Sequence, residues 1–250
     1  MASVDKGDEM QLDSRAVSES LECYVRDRLA ESDFFSRLSA GEVAPGHVRD
    51  VFGQYYLWRN RFHRWLGVCV AKSAAQGGPG SAQRALGELI TYLSREVNGS
   101  HHGPATSFLA ALGITDPARI AALPVTEAYA ESFLRCYFAA DRAGDEALAA
   151  LAGRELAVPV RNSIITSALP ERYGVTSGLE LFSLHSDLTA AHFQVLWGAL
   201  TIRGEADAEK LTEAARMEIW EHVTFWDDVY SSVLAGAQPP AVEQVLTVSS

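Results

Sequence analysis

Two histidines in the stretch Gly178 to Leu200, GLELFSLHSDLTAAHFQVLWGAL, have the type and spacing to do chemistry. His185 and His192 are seven residues apart, close to two helical turns, so a helix places both imidazoles on one face. Leu181, Phe182, Leu188, Val195 and Leu196 lie three or four residues from one or other histidine, and that face is otherwise apolar. Two glutamates interrupt apolar stripes in the same way. Glu96 follows Leu89 by seven residues and Leu93 by three, and Glu155 follows Leu148 by seven and Leu151 by four. Carboxylates belong on solvated faces, and a buried one needs a counter-charge or a metal. His101 shares a stripe with Ala105, Phe108 and Leu112 and is the preferred fifth member, with the adjacent His102 as the alternative. Oxygen and nitrogen donors without thiolate, converging from facing helices of a bundle, suit non-haem iron or manganese. Zinc would ordinarily be satisfied with four ligands.

Each position also has an ordinary explanation. A histidine on an apolar stripe is commonly a core residue bonded to a carbonyl, and Arg59, Arg61, Arg64 or Arg161 could pair with Glu96 or Glu155. His222 falls on an inward stripe with Ala215, Phe225 and Val229 and reads as structural, bonded to Glu218 four residues earlier. A shared site accounts for the other polar residues more economically than independent accidents on separate helices.

The elements that must position these residues are helical throughout. Apolar spacing predicts helices from Ser14, briefly around Asp33 to Leu38, from Pro45 without a break to the glycines at 77 and 78, from Ser81 to Val97, and into Gly113. It predicts others over Thr126 to Arg142, over Asp145 to Leu169 with a kink at Pro159, across Gly178 to Leu200 with Thr176 or Ser177 as its cap, and over Ala206 to Ala235. No segment alternates with period two. The expected architecture is all-α, with seven or eight helices in a single domain over residues 14–236 and flexible tails at 1–13 and 237–250.

Composition narrows the function. Against 21 basic residues stand 32 acidic ones, a net charge of -11, which argues against nucleic acid as a partner. No apolar run is long enough for a membrane span. The first residues lack the basic start and apolar core of a signal peptide. The three cysteines, Cys23, Cys69 and Cys136, are too few and too scattered for a disulfide scaffold. A cytoplasmic protein with a small-molecule substrate is expected, with a homodimer left open.

The run SDFFSRLSAGEVAPGHVRDVFGQYYLWRNRFHRWL resembles the opening of the haem-oxygenase-like superfamily, which includes thiaminase-like and pyrroloquinoline-quinone-synthase-like proteins. Later motifs resemble its diiron oxidase branch: Glu96 in SREVNGS, then His101-His102 before FLAALG, Glu155 four residues before Pro159 in ELAVP, and the pair His185 and His192. The resemblance extends from about Ser32 to Tyr230. It implies a haem-oxygenase-like bundle whose metal ligands are Glu96, His101 (or His102), Glu155, His185 and His192. It places Thr189 where that family has an aspartate. Asp187, two residues away, would point about 200° round a helix and cannot substitute. The implied cofactor is Fe(II), one or two ions, with O2 as cosubstrate and no catalytic residue beyond the ligands. The implied reaction is oxidation or oxygenation of a small molecule, an amino acid or derivative, in natural-product biosynthesis. It would proceed by C–H abstraction with desaturation or cyclisation, C–C cleavage, or N-oxygenation. Tyr55, Tyr56, Trp58 and Phe62 would wall the substrate pocket, and Arg59, Arg61 or Arg161 would receive a substrate carboxylate. The same fold also hosts thiaminase-like hydrolases, for which Cys136 with Glu218 or Glu221 would serve. Cofactorless oxidases and a non-enzymatic helical binding protein are the remaining alternatives.

Overall fold

The computed structural model describes residues 14–76, 81–97, 102–138, 144–198, 200 and 205–236. The segments expected to be tails lie outside them. Ten α-helices occupy the described residues: α1 (Ser14–Glu31), α2 (Asp33–Ala40), α3 (Pro45–Arg59), α4 (Phe62–Gln76), α5 (Ser81–Val97), α6 (His102–Ala111), α7 (Pro124–Phe133), α8 (Gly144–Tyr173), α9 (Glu180–Trp197) and α10 (Glu205–Leu234). A 3-10 turn at Pro117–Arg119 precedes α7, and a wide π-type turn at Leu134–Phe138 follows it. None of the described helices is long and apolar enough to cross a membrane.

Local chemistry sets the ends. Ser32 caps α2 by accepting from the Phe35 N–H, and Gly41 closes it at φ 76°, a conformation that costs glycine nothing. Pro45 and Pro124 open α3 and α7, where a missing N–H is no loss. The helix expected from Pro45 to the glycine run is two helices, broken at Asn60–Arg61. The helix expected over Thr126 to Arg142 passes at Leu134 into the π-type turn. No side chain caps α9, which begins at Glu180, so the expected Thr176 or Ser177 cap is not used. Instead Gly178 turns the chain at φ 75°, where an added Cβ would lie 2.4 Å from the Phe108 backbone.

The long α8 is the axis of the molecule and packs most extensively against α9 and α10. Its buried face is built from small residues, Ala147, Ala149, Ala150, Ala152, Gly153 and Ala157, which let neighbouring backbones come close. At Gly153 the approach is closest: a Cβ there would stand 2.5 Å from the Ala215 carbonyl oxygen of α10. The helix stays continuous through Pro159 and Pro170 and ends at Tyr173 rather than Leu169. Pro159 has no N–H to offer the Glu155 carbonyl one turn earlier.

Aromatic rings fill the space between α3, α8 and α10. Phe52 meets Phe34, Phe108, Phe182 and Trp226 edge to face, and Trp58 packs against Trp65, Tyr129 and Phe225. Such pairs add about 0.5–1.5 kcal/mol each beyond the area they bury.

Candidate metal centre and adjoining cavity

Glu155 is completely buried on α8. Its Oε2 lies 3.2 Å from His192 Nδ1 on α9, while its Oε1 accepts from the Arg154 guanidinium at 3.0 Å and from the Tyr92 hydroxyl at 3.2 Å. The Tyr92 ring, on α5, stacks on the His192 imidazole with centroids 4.4 Å apart. Three helices thus converge on one carboxylate, and two of the residues expected as ligands, Glu155 and His192, are brought together across 37 positions. His101 lies outside the described residues, and so do the side chains of Glu96, His102, His185 and Thr189. The backbones of α5 and α6 both contact α9 beside α8. Glu96 stands one turn beyond Tyr92 on α5, in register with it. Among the described residues no three His, Cys, Asp or Glu form a cluster.

Arg154 was not anticipated. It is 4% exposed, and its guanidinium lies over the Phe62 ring at 3.9 Å and the Trp58 ring at 4.7 Å. A buried cation beside a buried carboxylate, sandwiched on aromatic faces, offsets much of what desolvation costs each charge. The signal was present in the sequence, because Arg154 sits on the stripe of Ala147, Leu151 and Val158. Tyr92, three residues after Leu89 and four before Glu96, carried a similar signal.

A partly open cleft adjoins the carboxylate, with a free volume of about 20 Å3, room for about one water molecule in this conformation. Of the residues expected on the substrate side, Tyr55, Arg59, Phe62 and Arg161 line it, together with Tyr92, Arg154 and Glu155, while Tyr56 and Arg61 do not. Trp58 stands one layer back, beneath Arg154. Arg61 pairs instead with Glu127, and Arg64 with Glu131.

Arg161 is 2% exposed and enters a polar network that closes the rear of the cleft. Its Nε and one terminal nitrogen donate to Asn162 Oδ1 at 3.1 and 2.6 Å, and the other terminal nitrogen reaches His222 Nε2 at 2.9 Å. Asn162 in turn donates to the Phe182 carbonyl. A guanidinium can only donate, so His222 Nε2 must accept and its proton must sit on Nδ1. Nδ1 lies 3.0 Å from the Tyr129 hydroxyl, which donates onward to Glu218 Oε1 at 3.1 Å. His222 therefore reaches Glu218 through Tyr129, not directly as its spacing suggested. Burial and the two arginines hold the His222 pKa well below its ordinary value, and burial with Glu221 nearby pushes the Glu218 carboxyl well above its own.

The candidate nucleophile does not line the cleft: Cys136 lies on the π-type turn, half-buried, and Cys69 is buried with its sulfur 3.7 Å from the Ala147 carbonyl. Burial pushes the Cys69 thiol pKa far up, which keeps it protonated and inert.

The donors present fit iron. A wholly buried carboxylate, an imidazole nitrogen and a phenol oxygen share one locus, with no thiol among the cleft residues. No curated protein matches the sequence. Among solved structures, a domain of unknown function with a haem-oxygenase-like fold from Shewanella denitrificans OS217 superposes with a TM-score of 0.73 at 16% identity, covering 92% of this chain and 98% of its own. A CADD-like protein of unknown function from Nostoc punctiforme PCC 73102 gives 0.72 at 16% identity, with 89% and 99% covered. A TenA homologue from Pseudomonas syringae pv. tomato DC3000 gives 0.62 at 15%, with 88% and 96% covered. At these identities the likeness establishes the fold, which is haem-oxygenase-like as the opening motif implied. Residues 49–227, well over half of the chain, match a family profile described as iron-containing redox enzyme, and the chain belongs to that family.

Proposed function

We propose that this protein is an iron-dependent oxidoreductase that uses O2 to oxidise or oxygenate a small molecule bearing a carboxylate, such as an amino acid or its derivative. The observation that carries the reading is the buried Glu155 carboxylate facing His192 at the edge of a cleft whose rear wall holds a buried arginine. Glu155 and His192 hold the metal together with Glu96, His101 or His102, and His185. Bound iron would supply one-electron chemistry toward O2, which closed-shell side chains do not provide.

The chain's own residues then have separable tasks. Arg154, with a guanidinium nitrogen 3.0 Å from Glu155 Oε1, sets a positive charge beside the buried carboxylate and holds its orientation. Trp58 and Phe62 pin that guanidinium from behind. Arg161, held by Asn162 and His222, offers a fixed positive charge to a substrate carboxylate, and Tyr55 and Phe62 exclude water beside it.

The test is metal content after anaerobic Fe(II) loading, followed by O2 uptake. The wild type should retain iron, and His192→Ala should lose iron and O2 uptake together. Retention of less than about a tenth of an equivalent by the wild type overturns the assignment, and so does O2 uptake that survives in His192→Ala.

A further inference from the structure

We infer that Tyr92 is itself an oxygen ligand of the metal, binding as a phenolate when the iron is ferric. The inference rests on the iron-dependent reading above and adds a donor to it.

The geometry that serves hydrogen bonds here also suits coordination of a shared ion. Tyr92 Oη stands 3.2 Å from Glu155 Oε1 and His192 Nδ1 3.2 Å from Glu155 Oε2, so one group flanks each oxygen of the carboxylate. Both separations lie at the long end of the hydrogen-bond range. Two donors each about 2.1 Å from a common ion and at right angles to one another stand about 3 Å apart. The separations around Glu155 are therefore close to those of neighbouring ligands on one ion. Stacking at 4.4 Å with an interplanar angle of 27° sets the phenol and the imidazole side by side, so both polar ends arrive at the same carboxylate.

Charge gives the phenolate a purpose. Glu155 is already offset by Arg154 at 3.0 Å, so it brings little net negative charge to a cation. Residue 189, three before His192 on α9, is a threonine and adds none. With Glu96 as the remaining anionic donor of the proposed set, a ferric ion still gains from another anionic oxygen, and Tyr92 adjoins the same carboxylate. Coordination is a ligand exchange with no electron transfer: an iron–oxygen bond to the phenol would form as one to a bound water breaks, the phenol O–H bond breaks, and the water and the proton go to bulk solvent, as when other protic ligands bind metal.

The test is optical and vibrational. Full-length protein loaded with Fe(II) and oxidised in air should develop a phenolate-to-iron charge-transfer band in the visible. Resonance Raman excitation into that band should show phenolate ring and C–O modes, which shift when the protein is grown with ring-deuterated tyrosine. Tyr92→Phe keeps the ring that stacks on His192, so it should fold and bind iron, yet lack the band. Tyr55→Phe, which removes the other phenol of the cleft, should retain it. Iron bound by the wild type without the band, or a band that persists in Tyr92→Phe, overturns the inference while leaving the iron-dependent function standing. Absence of bound iron in the wild type overturns both. If Tyr92→Phe proves unstable, the decision passes to Tyr55→Phe: loss of the band there assigns it to Tyr55 and overturns the inference.

Discussion

The Arg161 guanidinium donates to His222 Nε2 at 2.9 Å, joining the middle of α8 to α10. Because arginine has no acceptor, this bond fixes the histidine as the neutral tautomer protonated on Nδ1. The Tyr129 hydroxyl is then bound to pass its own proton toward Glu218. A neutral histidine and a carboxyl with a raised pKa in one buried chain have opposite linkage to pH. His222 binds fewer protons folded than unfolded below about pH 6.5, so its contribution is whole above that value and is lost as pH falls. Glu218 binds more protons folded than unfolded above about pH 4.3, so its contribution is whole below that value and is lost as pH rises. Between those limits the two slopes oppose each other. Denaturant unfolding of Glu218→Gln across pH should show stability rising with pH up to about 6.5, with a slope of at most about 1.4 kcal/mol per pH unit from His222. His222→Gln should show the reverse slope.

Glu155→Ala should cost about 3–5 kcal/mol in urea unfolding even without metal, because it strands the Arg154 charge in the core. Replacing both residues, as Arg154→Met with Glu155→Leu, should recover much of that loss, since a buried pair removed whole leaves no uncompensated charge. Iron binding should be lost in both variants, separating the residue's role in the site from its role in the fold.

Apolar periodicity showed the helices plainly and the interruptions poorly. The stripe Trp58, Phe62, Trp65 and Cys69 keeps helical phase across Asn60–Arg61, so spacing carries no mark of the break between α3 and α4. Pro170 read as a stop, yet α8 continues to Tyr173, whose hydroxyl accepts the Val43 N–H and ties the last turn to the loop before α3. At the site, Glu155 and His192 were legible because a lone polar group on an apolar stripe is costly unless satisfied. Arg154 and Tyr92 occupy equally inward positions, but a tyrosine on a stripe is ordinary core, and an arginine beside a glutamate looks like a surface pair. What marks them out is the convergence of α5, α8 and α9 on one carboxylate, a property of the packing and not of any single stretch.

Gly153→Ala should disturb both stability and the centre. The new methyl would meet backbone atoms of Ala215 at 2.5 to 2.9 Å, and backbone cannot swing aside as a side-chain tip can. Overpacking of this kind costs about 1–3 kcal/mol. Relief requires α8 to move away from α10, and Glu155 lies two residues further along α8. Thermal unfolding should report the loss, and iron affinity should fall with it. Ala152→Gly, at the neighbouring buried position, should destabilise through chain entropy without displacing α8, and should leave iron affinity near that of the wild type.

Thr189→Asp tests how many ions the site can hold. Residue 189 lies three positions before His192 and four after His185 on α9, so its helical position is shared with both histidines. A carboxylate there would add a hard anionic donor at the helical position shared with both histidines. Two-metal centres need bridging or flanking carboxylates to keep ions about 3.5–4 Å apart, and a threonine hydroxyl is a poor replacement. Iron content after anaerobic loading should rise in Thr189→Asp from about one ion per chain toward about two. Thr189→Asn, similar in shape but uncharged, should stay near the wild-type value. Unchanged content in Thr189→Asp would mean that position 189 does not face the metal, and that the shared helical position of His185 and His192 is not the one the centre uses.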